Sequence, residues 1–199
     1  MHKKILFPFS SDRELTVGYN WAMELASRMN AALFFFTTVP DSEQNKAAFV
    51  DHLSHSLLEA QGNYLQHASM EISPAKTERH IGEGDFTFSL SKFVRKNRFD
   101  IVVIDPVSSH LTAHTLDYVV ENSNGVIVLP EHNNASIPQL PLRDHQGNPD
   151  DFYDVLHKAD LYKLPENFFT TLGKDRRLFN YLRTFFRKKS NARQAHDER

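Results

Sequence analysis

His110 and His114 stand four residues apart, with Asp117 three further on. On a helix these spacings bring two imidazoles and a carboxylate to one face, a donor set that zinc accepts. A hydrolytic zinc helix of this kind also carries a glutamate base between the histidines, but residues 111–113 here are Leu, Thr and Ala. The group therefore reads as the polar start of a helix, with metal binding as the lesser alternative. Ser108 and Ser109 adjoin His110 and suggest a nucleophile with its base. No Gly-x-Ser-x-Gly elbow and no orienting acid at recognisable spacing accompany them, so no catalytic residue is expected.

The same segment bears on phosphate chemistry. Phe99-Asp100-Ile101-Val102-Val103-Ile104-Asp105 reads as a buried strand ending in a polar residue, where open α/β sheets place their ligands. A phosphate loop there needs glycines, so that backbone N–H groups can approach the anion. No glycine occurs between Asp105 and Asn124; the loop offers the hydroxyls of Ser108, Ser109 and Thr112. No cofactor is expected. The alternative is ATP held in a degenerate cleft around Pro8, Ser10, Asp105, Ser108 and Ser109.

The elements that would position these residues follow from hydrophobic patterning. Ile5–Phe9, Ala32–Val39, Ile101–Ile104 and Val126–Leu129 are apolar runs without alternation, as expected of strands covered on both faces. A more polar strand is expected within Ala75–Ile81, preceded by Pro74, which suits a sheet edge. Between these runs lie helical patterns. Ser11 and Glu14 form a capping box, Leu15 to Met29 carry an apolar stripe, and Asn30 ends it. A long helix over Ser42–His67 turns Leu53, Leu57, Ala60 and Tyr64 inward, and Asp85 caps a helix with Phe86, Leu90, Phe93 and Val94 inward. The order predicts a five-stranded parallel open sheet, doubly wound in three layers (Rossmann-like or flavodoxin-like).

In the order of these pieces the chain resembles the universal stress protein family. The matching residues are Lys4–Pro8, Trp21–Ala31, Gly84-Asp85, Asp100–Ile104 and Val126–Pro130, so the resemblance covers residues 1–130. ATP-binding members carry an Asp just after the first strand's Pro and a Gly-x2-Gly-x9-Gly-Ser/Thr loop after the fourth strand. Here Ser10 stands at the Asp position and the loop is short and free of glycine. The resemblance thus implies the branch that does not bind nucleotide, whose members are stress-linked regulators. It also implies a homodimer paired through the last strand, residues Val126, Ile127, Val128 and Leu129. The chain's own tail lying across that strand is the alternative. Receiver and dinucleotide-binding domains share the strand rhythm, but the chain lacks the paired acids of the first and the Gly-x-Gly-x-x-Gly of the second.

Residues 131–173 read as a linker with short helices, since Glu131–Asp151 hold Pro138, Pro141, Gly147 and Pro149 and few apolar residues. Residues 174–199 read as a basic amphipathic helix and a disordered tail. Residues 174–189 carry a net charge of +6, whereas residues 1–173 carry −8 within a whole-chain charge of −2. Leu178, Phe179, Leu182, Phe185 and Phe186 form the apolar stripe, and Arg177 is among the cations around it. Such a helix would dock on the chain's own body or a dimer mate, or meet an unknown protein partner or an anionic membrane surface. Nucleic acid is disfavoured, because the body is acidic and the aromatic residues lie apart from the arginines. The absence of cysteine, of a signal-like start and of a 20-residue apolar run leads to the expectation of a cytoplasmic protein. The combined reading is a non-enzymatic, stress-related regulatory protein.

Overall fold

The computed structural model describes residues 3–11, 17–40, 43, 45–67, 76–109, 111–130, 150–165 and 168–172. One compact unit, Met1–Pro165, holds β1 (Lys4–Pro8), α1 (Val17–Arg28), β2 (Ala32–Val39), α2 (Lys46–His67), β3 (Thr77–Glu83) and α3 (Phe86–Asn97). It continues with β4 (Ile101–Ile104), α4 (Pro106–Ser109), α5 (Ala113–Asn122), β5 (Val126–Val128), α6 (Asp150–Lys158) and β6 (Asp160–Tyr162). The short helix α7 (Phe168–Leu172) belongs to a second unit, Glu166–Arg199.

The expected α/β class holds. The sheet runs in the order β3-β2-β1-β4-β5-β6, and the first five strands are parallel. Strands β1, β2 and β4 send alternate residues to opposite layers, and both sets are buried, which is why their sequences do not alternate. Leu6, Phe36 and Val102 join Leu90 and Val94 of α3 and Val119 of α5 in one core. On the other face Phe7 and Phe35 pack against Tyr19 of α1, whose ring stacks on Phe35 at 4.8 Å. The Asp85 carboxylate accepts the Phe88 N–H at 2.7 Å and caps α3. Asn30, at φ 47°, takes the left-handed conformation that ends α1. Leu53, Leu57 and Tyr64 face inward from α2 as expected. The polar strand lies at 77–83, two residues later than its expected window, and forms one edge of the sheet.

Two expectations are corrected. Val126, Ile127 and Val128 do not form an open edge, because β6 pairs with them antiparallel in the register Val126↔Tyr162, Ile127↔Leu161 and Val128↔Asp160. The sheet therefore has six strands, and the edge assigned to a dimer mate is filled from within the chain. Nor does the α/β body end at Pro130. Helix α6 packs on α1: the Trp21 indole stacks on Phe152 at 4.8 Å and 9°, and its Nε1 donates to the Phe152 carbonyl at 3.1 Å. The Arg28 guanidinium lies over the Phe152 ring and donates to the Tyr153 hydroxyl at 3.3 Å. A buried Trp needs a partner for its N–H, and α6 supplies one together with apolar cover. Residues 131–149 of the expected 131–173 linker, and the expected basic helix and tail at 174–199, lie outside the described residues.

Arg28 is also bound to Glu24, Nε to Oε1 at 2.7 Å, and the Tyr64 hydroxyl donates to Glu24 Oε2 at 2.8 Å. Burial, reinforced by the Glu24 carboxylate, raises the Tyr64 hydroxyl well above its ordinary value of 10.0. Burial does the same to Tyr19.

Two outcomes follow. Phe152→Ala removes the ring from both Trp21 and Arg28 and is expected to cost about 3–5 kcal/mol in a urea melt. Above pH 10 the unfolded chain releases tyrosine protons that the folded chain retains at Tyr19 and Tyr64. Stability is then expected to fall by about 1.4 kcal/mol per pH unit for each tyrosine until the folded values are reached. Tyr64→Phe should shallow that alkaline slope and leave the slope below pH 9 unchanged.

Candidate functional site

Strands β1 and β4 lie side by side at the centre of the sheet. From β1 the chain passes to β2 and β3 on one side, and from β4 it passes to β5 on the other. Their carboxyl ends therefore form the switch point at which α/β sheets bind ligands. Pro8, Phe9 and Ser10 leave β1 there, and Asp105 leaves β4.

Asp105 is fully buried. Its carboxylate accepts the Val107 N–H at 3.0 Å, and its carbonyl accepts the N–H groups of Ser108 and Ser109 at 3.2 and 3.0 Å. Pro106, at the first position of α4, has no N–H to satisfy and a backbone angle already suited to the turn. The Ser109 hydroxyl donates to the same carbonyl at 2.7 Å, and that of Ser108 reaches it at 3.5 Å. Both serines are buried. The Ser10 N–H donates to the Ser108 carbonyl at 2.6 Å and so ties the end of β1 to α4.

The nucleotide-site residues expected from the sequence are thus brought together, but their donors point at the protein. The N–H groups of Ser10, Val107, Ser108 and Ser109 and the hydroxyls of both loop serines have intramolecular acceptors. Ser108 and Ser109, expected as the loop hydroxyls nearest a triphosphate, here donate those hydroxyls to the Asp105 carbonyl. Sequence reasoning missed Gly18. A Cβ placed there would lie 2.8 Å from both Cβ and Cγ of Asp105, so the carboxylate packs where a side chain of α1 would stand. Gly18 reads in the sequence as one small member of an apolar stripe, and only the fold pairs it with Asp105.

Thr112 caps α5, its Oγ1 accepting the Thr115 N–H at 3.3 Å. His114 and Asp117 are exposed on that helix, and His110 lies outside the described residues. Among the described residues no three His, Asp or Glu side chains are grouped to hold a metal ion. Among them no helix is long and apolar enough to cross a membrane. Arg177, Leu178, Phe179, Leu182, Phe185 and Phe186 lie outside the described residues.

No family model and no curated protein matches this chain. Among solved structures it is similar to the universal stress protein UspA from Lactobacillus plantarum, at 20% identity over 64% of this chain and 97% of that one, with a TM-score of 0.42. It is similar to a universal stress protein from Archaeoglobus fulgidus at 12% identity over 62% of this chain and 90% of that one, TM-score 0.43. A universal stress protein family protein from Arabidopsis thaliana, solved with AMP bound, is 15% identical over 69% of this chain and 97% of its own, TM-score 0.43.

Replacing Gly18 with Ala ordinarily strengthens a helix by about 1 kcal/mol. Here the collision with Asp105 is expected to reverse the sign and destabilise by about 1–3 kcal/mol. In the Asp105→Ala background the same change should lose most of that penalty. A double-mutant cycle read by chemical denaturation measures the difference, and additive effects would contradict the packing described.

Proposed function

We propose that this chain is a cytoplasmic, non-enzymatic, stress-related regulatory protein that acts by binding macromolecular partners, with no nucleotide at its central cleft. One observation carries the reading: the backbone N–H groups at the switch point are satisfied by Asp105 and Ser108. A phosphate would have to displace those bonds and meet a buried carboxylate in place of a nest of free donors. The resemblance of residues 1–130 to universal stress proteins supports the stress-related part.

We infer that the partner surface is the segment 174–189, whose sequence suits a basic amphipathic helix, through Arg177, Leu178, Phe179, Leu182, Phe185 and Phe186. Its +6 charge beside an acidic body and its aromatic stripe suit a protein groove or an anionic membrane. Homodimerisation through β5 requires β6 to leave, so the proposed dimer is conditional on release of that strand.

With ATP and magnesium the full chain is expected to show no thermal shift and no retained nucleotide on dialysis. A saturable shift abolished by Ser108→Ala would establish the nucleotide-switch alternative instead. Deleting residues 174–199 should remove partner capture and any sedimentation with anionic vesicles while leaving the melting of the α/β body in place. By light scattering, the variant Leu161→Pro, which weakens β6 and keeps α6, should have twice the mass of its monomer, and the unaltered chain should not.

A further inference from the structure

A groove of about 490 Å³ opens between β3 and α3, away from the central cleft. Its wall is aromatic. The His80 imidazole stacks on the Phe93 ring with centroids 4.2 Å apart and planes 17° apart, and Phe36 lies 5.0 Å from Phe93 and 5.8 Å from His80 at similarly shallow angles. Phe36 is buried and Phe93 half-buried, whereas His80 is exposed and presents the outermost ring of the set.

The groove is also cationic. Lys92 and Lys96 line it from α3, and their i,i+4 spacing puts both on one helix face. Neither has a carboxylate partner among the described residues. Glu83 lines the groove too, and it pairs with Lys46 at 3.7 Å. Gly82 supplies part of the floor. A Cβ there would meet Thr38 at 3.3 Å and Phe36 and Ser89 at 3.6 Å, so the missing side chain leaves depth over the sheet. Partial burial, with the Lys96 charge second, holds the His80 imidazole below its ordinary value, which favours a neutral ring suited to stacking.

A concave site of a few hundred Å³ with aromatic walls and a few convergent polar groups is the usual form of a small-ligand pocket. Stacked rings select flatness, and two unpaired ammonium groups select negative charge. We propose that this groove binds a planar aromatic anion, its ring against His80 and Phe93 and its carboxylate or phosphate between Lys92 and Lys96.

The test titrates the full chain, by amide NMR, with 2-naphthoate, 2-naphthyl phosphate and the uncharged 2-naphthamide. At least one anion is expected to saturate and to move the amides of Gly82, Phe93 and Lys96, and the tighter of the two identifies the preferred anionic group. Naphthamide should bind at least tenfold more weakly. The variant Lys92→Gln/Lys96→Gln changes exposed side chains only and should lower anion affinity at least tenfold with an unchanged melting temperature. Gly82→Val, which fills the floor, should weaken all three ligands alike. Equal binding of the anion and the amide, undiminished binding by the double lysine variant, shifts confined to Ser10 and Ser108, or no saturable binding would each overturn the proposal.

Discussion

A carboxylate at the end of a strand buried on both faces has to find hydrogen-bond donors inside the protein. Asp105 does so by folding the chain back on itself. Its side chain and carbonyl take three successive N–H groups, α4 forms around them, and the Ser108 carbonyl left at the end of that turn takes the Ser10 N–H from β1. The arrangement depends on Gly18, because any larger residue of α1 would occupy the volume of the carboxylate. Closure of the central cleft is therefore one connected set of contacts among β1, α1, β4 and α4. It also changes the chemistry of the edge, since the backbone N–H groups that would face a ligand face the Asp105 carboxylate and the carbonyls of Asp105 and Ser108 instead.

Much of this fold was legible because burial on both faces leaves a plain trace. Ile101–Ile104 and Phe34–Phe36 have no polar side chain to hide, and neither run suits a helix that must show one face to water. The helix ends were legible for a similarly local reason: Asp85 and Asn30 act on backbone groups within a few residues. The missing glycines after β4 were also visible. What replaced them was not. Gly18 and Asp105 are distant in sequence, and each has an ordinary local explanation, one as a small stripe residue and one as a polar strand end.

Strand β6 was missed for the opposite reason. Strand β6 has three residues, Asp160, Leu161 and Tyr162, and its only signal is backbone pairing with β5. An antiparallel edge strand of that length needs no apolar alternation, because its hydrogen bonds do not depend on side-chain type. The better clue lay in α1. Trp21 and Arg28 are seven residues apart and so share a face, offering an indole N–H and a guanidinium where the domain has no further strand or helix before Pro130. Phe152 and Tyr153 answer both groups. A helix that must satisfy a buried Trp is evidence of a further element, even when that element lies beyond a polar stretch.

With its central N–H groups bonded within the chain, the proposed recognition rests on side chains. A nest of N–H groups is rigid before its ligand arrives and binds anions with little loss of conformational freedom. Lysines on α3 must be immobilised on binding, and because they are exposed their attraction falls as salt rises. Contacts of that type are individually weak, so useful affinity requires apolar burial beside the charge, as the rings of His80 and Phe93 would supply. Cation beside aromatic is the pattern in that groove, and it favours reversible attachment over the tight retention that a closed phosphate loop provides.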